Sequence, residues 1–394
     1  MGPEMSLMIR ITCCLLIAGL LPAVSVGESP SFRFATFNTS LYRDAAGELV
    51  RDLSTSDNEQ ARQVAEIIQR TRPDVLLLNE FDYDADGRAA KKFQQNYLAV
   101  SQGGQKPIQY EYSFVAAVNT GVPSHCDLDQ DGRADGPGDA FGFGRFPGQY
   151  GMLVLSRLPI AMNKIRTFQH FKWQDMPRAL LPQASDGSSY YSTAERKLLR
   201  LSSKSHWDIP LLTASGLIHF LVSHPTPPVF DGDEDRNGRR NHDEIRFWAD
   251  YIEPRTSGYI YDDQQRRGGL RAGEKFVIAG DMNADPYDGD STHAAIRQLI
   301  DHRSINASVA PASAGGQRYA SLQGRINLQH RGKPEHDTAD FHDARVGNLR
   351  LDYVLPSKAL KIVAAHVFWP VPDADGSELI TASDHRLVWV DLAF

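Results

Sequence analysis

The stretch Val277-Ile-Ala-Gly-Asp281-Met-Asn283 decides how this chain is read. Its apolar opening is too short for a helix and right for a buried strand. It ends in a carboxylate and, two residues later, an amide. The same construction recurs elsewhere. Phe34-Ala-Thr-Phe-Asn38 ends in an amide, Val75-Leu-Leu-Leu-Asn-Glu80 in a carboxylate, and Phe220-Leu-Val-Ser-His224 in an imidazole. Leu351-Asp352-Tyr353-Val354 and Ser383-Asp384-His385 follow near the C-terminus. Taken singly, each is an ordinary turn or cap, because Asn and Asp stop strands by bonding their own backbone. Independent caps are not expected to supply an acid pair, two amides and two imidazoles in one order.

Further short runs of Val, Leu, Ile and aromatics, bounded by turn residues, predict strands over 32–37, 75–79, 112–118, 151–156, 217–223, 276–279, 351–355 and 388–392. Helical spacing appears over 58–70, where Ala61, Val64, Ala65 and Ile68 share one face and Pro73 closes the run. Two more helices are expected over 245–252 and 291–301. Strands from both ends of the chain with helices between them predict an α/β sandwich, two packed sheets with helices outside. The segment 157–210 has weak periodicity and reads as a long insertion or covering loop.

With 394 residues, 41% hydrophobic and 23% charged, the chain can bury a large core and is too polar for a multi-span membrane protein. A net charge of −7 argues against a strongly basic nucleic-acid binder. Residues 1–27 read as a signal peptide. Arg10 ends the leading region, and the apolar run Ile11–Leu21 is shorter than the roughly 20 residues that span a bilayer. Cys13 and Cys14 would leave with it, and Cys126 alone can form no internal disulfide. The expectation is a secreted or periplasmic protein without stable membrane insertion.

The strand-end residues, together with Tyr150-Gly-Met-Leu-Val-Leu-Ser-Arg-Leu-Pro159, resemble the endonuclease/exonuclease/phosphatase superfamily, the deoxyribonuclease-like group. The resemblance runs from about residue 32 to 394 as one catalytic domain with enlarged loops. It implies a four-layer α/β sandwich, two packed mixed β-sheets flanked by helices. A block over 223–244 resembles a secreted bacterial branch of the group.

Phosphate-ester hydrolysis needs a metal to neutralise nonbridging oxygens, an activated water and donors for developing charge. Magnesium prefers one or two carboxylates plus waters. The resemblance makes Glu80 the first ligand of Mg²⁺ (or Mn²⁺), with Asn38 beside it and Asp384 completing the set. It gives Asp281 the attacking water, Asn283 a phosphate oxygen, and His385 a phosphate contact held by Asp352. It makes His224 a general acid or oxyanion donor. Some members carry an Asp two positions after the first Asn, where this chain has Ser40, which points to one metal around Glu80. His219, five residues before His224, falls on the opposite strand face and reads as structural.

Three segments share Asp-x-Asp-x-Asx-Gly: Asp82, Asp84 and Asp86; Asp127, Asp129 and Asp131; Asp233, Asp235 and Asn237. The third continues to Asn241 and Glu244 at positions 9 and 12, the full spacing of an EF-hand calcium loop. The first and second carry Phe93 and Gly138 at position 12 and match in part, so calcium is a candidate for the third loop above all, against the plainer reading of acidic turns. Lys204, His206, Arg239 and Arg240 are possible phosphate partners, and Trp207 a stacking surface, against solvated or structural readings. The leading function is a secreted metal-dependent phosphoesterase acting on a small-molecule or nucleic-acid phosphodiester or monoester. An extracellular nonspecific nuclease and a non-catalytic calcium-binding surface module are the alternatives. No protein partner is implied.

Overall fold

The computed structural model describes residues 1–2 and 31–393; apart from its first two residues, the expected signal peptide lies outside them. Its strands are β1 (Ser31–Asn38), β2 (Val75–Asn79), β3 (Tyr112–Phe114), β4 (Met152–Ser156), β5 (Arg166–Thr167), β6 (His206–Thr213), β7 (Gly216–Ser223), β8 (Lys275–Asp281), β9 (Ala339–Asp340), β10 (Asn348–Leu349), β11 (Asp352–Pro356), β12 (Lys361–Val367) and β13 (Val388–Ala393). One sheet runs β12-β13-β1-β2-β4-β3 and the other β11-β8-β7-β6-β5, with β9 and β10 pairing apart. Both large sheets are mixed. β1 runs parallel to β2 and β7 parallel to β8, while their other pairings are antiparallel.

Side-chain alternation along each strand builds the layers. Phe34 on β1, Phe220 and Val222 on β7, and Val277 and Ala279 on β8 pack into one cluster between the sheets. Their neighbours face outward. Ala35 and Phe37 meet Val64, Ala65 and Ile68 of the helix Glu59–Thr71, and Phe276 and Ile278 meet Ile245 and Trp248 of the helix Arg236–Tyr251. The result is the expected α/β sandwich, helix on sheet on sheet on helix. Asn58 caps the first helix by accepting from the Ala61 N–H at 2.9 Å, and Arg72 ends it in the left-handed region at φ 52°.

Several elements differ from the sequence expectation. The helix read over 245–252 begins at Arg236, so most of the third acidic segment is helical. The helix expected over 291–301 shrinks to Arg297–Ile300 after a short 3-10 turn, and the strand expected over 112–118 to Tyr112–Phe114. The segment 157–210 is no loose cover. Phe168, Phe171, Trp173, Leu199 and Leu201 are buried against the helix Arg236–Tyr251, and its end forms most of β6. β12 escapes the sequence reading because it is an edge strand whose side chains are mostly exposed or half-buried.

Candidate active site

The sheet registers explain why residues 300 positions apart meet. β1, β2, β7 and β8 all end at the same rim, delivering Asn38, Glu80, His224 and Asp281 there. β11 runs against β8 and starts at that rim, with Asp352 opposite Asp281. β13 runs against β1, so the preceding Ser383–His385 also arrives there. Alternation then aims the groups. Asn38 continues the inward set of Phe34, His224 that of Phe220 and Val222, and Asp281 that of Val277 and Ala279. Gly280 lets β8 lie close to β7, since any Cβ there would strike the Ser223 carbonyl.

Asp281 is the hub, only 1% exposed. Its Oδ2 accepts from Asn38 Nδ2 at 3.0 Å and lies 3.4 Å from His224 Nε2 and 3.6 Å from His385 Nε2. Its Oδ1 accepts from the Asn283 N–H at 2.9 Å, and Asn283 itself takes a left-handed φ of 50°. The Asn283 side chain donates one Nδ2 proton to the Pro225 carbonyl at 3.1 Å and keeps another. His385 Nδ1 is 2.8 Å from Asp352 Oδ2, which also accepts from Thr338 Oγ1 at 2.8 Å. Burial pushes His385 down, but the Asp352 and Asp281 carboxylates outweigh it and hold the imidazole well above its ordinary pKa. His224 goes the other way. Burial, with the charges of Lys204 and His385, drives it well below its ordinary value, and its Nδ1 is buried without a partner. The surroundings thus bias the two histidines in opposite directions, His385 toward the protonated form and His224 toward the neutral one, although both rings lie beside the Asp281 carboxylate.

Glu80 turns out of β2 with a left-handed φ of 55°. Burial, reinforced by the nearby Asp384 charge, lifts its carboxyl to about 7 despite His385, Asn38 and Lys204. Asp384 is exposed, with Ser40 Oγ at 3.3 Å and Ser383 Oγ at 3.4 Å. Two repelling carboxylates at this rim are the hard oxygen set that a divalent cation fits. Asn38 lies beside Glu80 as expected. Its Nδ2 donates to Asp281 at 3.0 Å and its Oδ1 accepts from the Ser40 N–H at 3.2 Å, so it helps to aim Asp281. Oxygen and nitrogen atoms of Asp281, Asp352 and His385 also lie within 4.8 Å of one another. There, however, His385 Nδ1 is already committed to Asp352.

The sequence profile of the Endonuclease/Exonuclease/phosphatase family matches residues 35–385. The chain belongs to that family. Among solved structures it is similar to an endonuclease/exonuclease/phosphatase from Beutenbergia cavernae, at 18% identity and TM-score 0.50, over 92% of this chain and 72% of that one. It is also similar to a family protein from Leptotrichia buccalis (15%, TM-score 0.47, 92% and 100%) and to sphingomyelinase C from Streptomyces griseocarneus (15%, TM-score 0.46, 93% and 100%). At these identities the likeness is one of fold. No curated protein matches the sequence significantly.

Within this family fold, Asn79 and Thr338 went unread in the sequence, and Ser383 was read only as part of its motif. Asn79 lies fully buried at the inward end of β2, and its Oδ1 accepts from the Asp281 N–H at 3.3 Å, tying one sheet to the other. Alternation from Val75 and Leu77 would have found it. Ser383 Oγ donates to the Asn38 carbonyl at 2.8 Å and accepts from the His385 N–H at 3.0 Å. Thr338 lies in irregular chain with no periodic signal.

The expected phosphate contacts divide. His206 is a core residue, not a phosphate partner. Its nitrogens meet Ser202 Oγ at 3.0 Å and the Glu244 carbonyl at 2.9 Å, and burial pushes its pKa down to about 4. Trp207 is likewise fully buried between the sheets. Arg240 is turned inward, donating to the carbonyls of Leu201 at 2.8 Å, Arg200 at 3.0 Å and Phe141. Arg239 pairs with Asp235 at 3.9 Å. Lys204 feels the charge of Glu244 first and then those of the site acids Glu80 and Asp281. His219 is structural as expected, bonded to Asp208 at 2.7 Å.

The third acidic segment is not a calcium loop. Asn237 donates to the Val229 carbonyl, and Asn241 and Glu244 follow it on the inner side of the helix. Asn241 Nδ2 donates to the carbonyls of Thr226 and Met282 at 2.8 and 2.9 Å. Glu244 accepts from the Ser203 N–H and Oγ and the Thr226 N–H at 2.6, 3.0 and 2.7 Å. Asp235 is bonded to Thr292, and Asp233 is left exposed. The first segment is dispersed too. Asp82 accepts from the N–H groups of Arg43 and Tyr150, Asp84 caps the helix Arg88–Phe93 through the N–H groups of Arg88 and Ala89, and Asp86 is 3.5 Å from Arg88. Only in the second do carboxylates converge. Asp127 and Asp129 meet Asp139 with oxygens within 4.8 Å, while Asp131 turns to the Arg133 N–H.

Proposed function

We propose that this protein is an exported, divalent-metal-dependent phosphoesterase that hydrolyses phosphodiester or phosphomonoester bonds by attack of a water activated at Asp281. The carrying observation is the placement of Asp281. It stands beside two histidines of opposite protonation bias and an amide, at the rim where both sheets end. Export rests on the apolar run Ile11–Leu21.

Glu80 and Asp384 would hold Mg²⁺ or Mn²⁺, which when bound neutralises nonbridging phosphate oxygens and polarises phosphorus. Asp281 Oδ2 orients the attacking water and takes its proton, its carboxylate aimed by Asn38 and the Asn283 N–H. The His385 imidazolium, fixed by Asp352, donates from Nε2 to a phosphate oxygen. His224 and the free Asn283 amide proton supply neutral donors for charge building on the pentacovalent phosphorus. If calcium has a place, this reading gives it the second acidic loop alone.

The test is an activity panel with added Mg²⁺ or Mn²⁺, spanning plasmid DNA, RNA, bis-aryl and mono-aryl phosphates, inositol phosphates and sphingomyelin. Asp281→Ala and His385→Ala run in parallel. Metal-dependent turnover that falls by about two orders of magnitude or more in both variants supports the proposal. No turnover of any ester, or wild-type rates in Asp281→Ala, would overturn it.

A further inference from the structure

Lys204 is 6% exposed, and among the described residues its ammonium makes no hydrogen bond and no contact ion pair. An ammonium carries three donors and no acceptor, so on a side chain this enclosed, with no protein acceptor, its donors are left to solvent or a ligand. The charges that act on it are Glu244, Glu80 and Asp281. None is free to close on it. Glu244 has both oxygens filled by Ser203 and Thr226, and Asp281 is occupied by Asn38, Asn283 and the histidines. Glu80 is committed by the argument above to the metal.

The backbone holds Lys204 firmly in this place. His206 pairs with Ser223 across β6 and β7, so Lys204, two residues earlier, runs beside His224 and Pro225. The preceding Ser203 hydroxyl donates to the His224 carbonyl at 3.4 Å, and the Lys204 carbonyl accepts from the Asn119 N–H at 2.8 Å. The charge of Lys204 is felt at His224 and at Glu80 alike. Its backbone therefore stands next to the strand end that carries His224, at the rim where a reacting phosphate would sit.

We infer that Lys204 is a substrate-binding residue whose ammonium takes a nonbridging oxygen of the phosphate being cleaved. This rests on the phosphoesterase reading and adds to it an anion contact from the protein itself. A group with negatively charged oxygens, placed between Lys204 and His385, gives each cation the acceptor the protein leaves out. The competing account is that Lys204 only offsets the surrounding acids.

The two accounts separate by experiment. Inorganic phosphate is titrated calorimetrically into the full Mg²⁺-loaded protein, wild type, Lys204→Met and Lys204→Gln, with melting temperature and Mg²⁺ affinity measured alongside. Wild type is expected to bind phosphate and both variants to bind it about tenfold or more weakly, the worth of one charged hydrogen bond. Lys204→Met, which removes an unpartnered buried charge, should melt no lower than wild type without phosphate. KM for a bis-aryl phosphodiester should rise in step. Phosphate affinity within about twofold of wild type in a folded, Mg²⁺-loaded variant overturns the inference, as does a wild-type protein that binds no phosphate. Lys204→Gln decides the matter if the Met variant does not fold. A wild type that binds phosphate in a Lys204-dependent way but cleaves no ester would sink the phosphoesterase reading and leave the anion site standing.

Discussion

Replacing Asp352 by Asn tests the His385 assignment with little change of shape. Thr338 Oγ1 accepts from the N–H groups of Leu351 and Asp352 at 2.9 and 3.0 Å, so its own proton is committed to Asp352 Oδ2. An Asn there must therefore present its oxygen at that position. The same oxygen faces His385 Nδ1, which keeps its hydrogen bond but loses the negative charge. A hydrogen bond to a charged partner contributes about 1.5–3 kcal/mol against roughly 0.5–1.5 for a neutral one, so the imidazolium loses on the order of 1–1.5 kcal/mol, about tenfold in rate. Burial then opposes the Asp281 charge with less resistance, and the protonated fraction at neutral pH falls. Together the fall in kcat/KM should be about 10- to 1000-fold. Because the protonated form is the active one, activity is lost as pH rises through the His385 pKa, and that alkaline limb should move to lower pH in the variant. The amide nitrogen would occupy the Oδ1 position, buried without a partner, at a cost of about 1–3 kcal/mol that relief of repulsion with Asp281 offsets, so the variant folds. A pH–rate profile on a chromogenic bis-aryl phosphodiester measures both effects. Unchanged kcat/KM with the alkaline limb in place would refute the account of His385 as an imidazolium held by Asp352.

Other consequences follow from the same geometry. Glu80→Gln should remove most of the Mg²⁺-dependent rise in melting temperature, which for a site filled at 100 times its Kd corresponds to about 2.7 kcal/mol in wild type; an undiminished rise would move the metal elsewhere. Glu244→Gln turns an amide toward a buried N–H donor and should lower stability by about 2–4 kcal/mol equally with calcium and with chelator, whereas a loss seen only with calcium would restore the EF-hand reading. For His219, the Asp208 carboxylate outweighs burial and raises the imidazole above its unfolded value. Its contribution is fully present below the unfolded pKa and is lost as pH rises through the folded one. His219→Gln should therefore shrink the stability gap between mildly acidic and mildly alkaline buffer, read by urea denaturation, and an unchanged gap would count against the pair.

The catalytic rim was legible in the sequence for a physical reason. A buried strand has a period of two, so a polar residue that continues the inward set at a strand's end has to face the space between the sheets. That rule places Asn38, His224, Asp281 and Asp352 without knowledge of their partners, and applied to Val75 and Leu77 it would have placed Asn79. What it does not give is the role of each histidine. Protonation bias depends on neighbours from other strands, and only the fold shows that His385 meets Asp352 as well as Asp281, while His224 is buried beside Asp281 and feels the charge of Lys204. Thr338 was out of reach because no periodic pattern surrounds it. Lys204 and His206 look alike in sequence, two polar residues of one short segment, yet one is left without a protein partner and the other packs tilted against Phe247 and Trp248 with both nitrogens bonded.

The calcium reading failed for a reason that bears on the site itself. Oxygen-bearing residues spaced as in an EF-hand loop also fall near one face of a helix, because positions 5, 9 and 12 stand four and three residues apart. In the family fold that face, Asn237, Asn241 and Glu244, is turned inward along the helix Arg236–Tyr251. Asn241 joins the chain after His224 to the chain after Asp281, through the carbonyls of Thr226 and Met282. Glu244 joins the same His224 segment to Ser203, next to Lys204. The pattern that resembles a cation cage is thus a brace holding three strand ends in mutual register. Such a brace has functional weight, since reacting groups must be fixed to well under 1 Å and a displacement of that size can cost about 100-fold in rate. Glu244 therefore serves backbone N–H groups rather than calcium, and the electrostatics met by a phosphate are set by Lys204, His385 and the metal carboxylates.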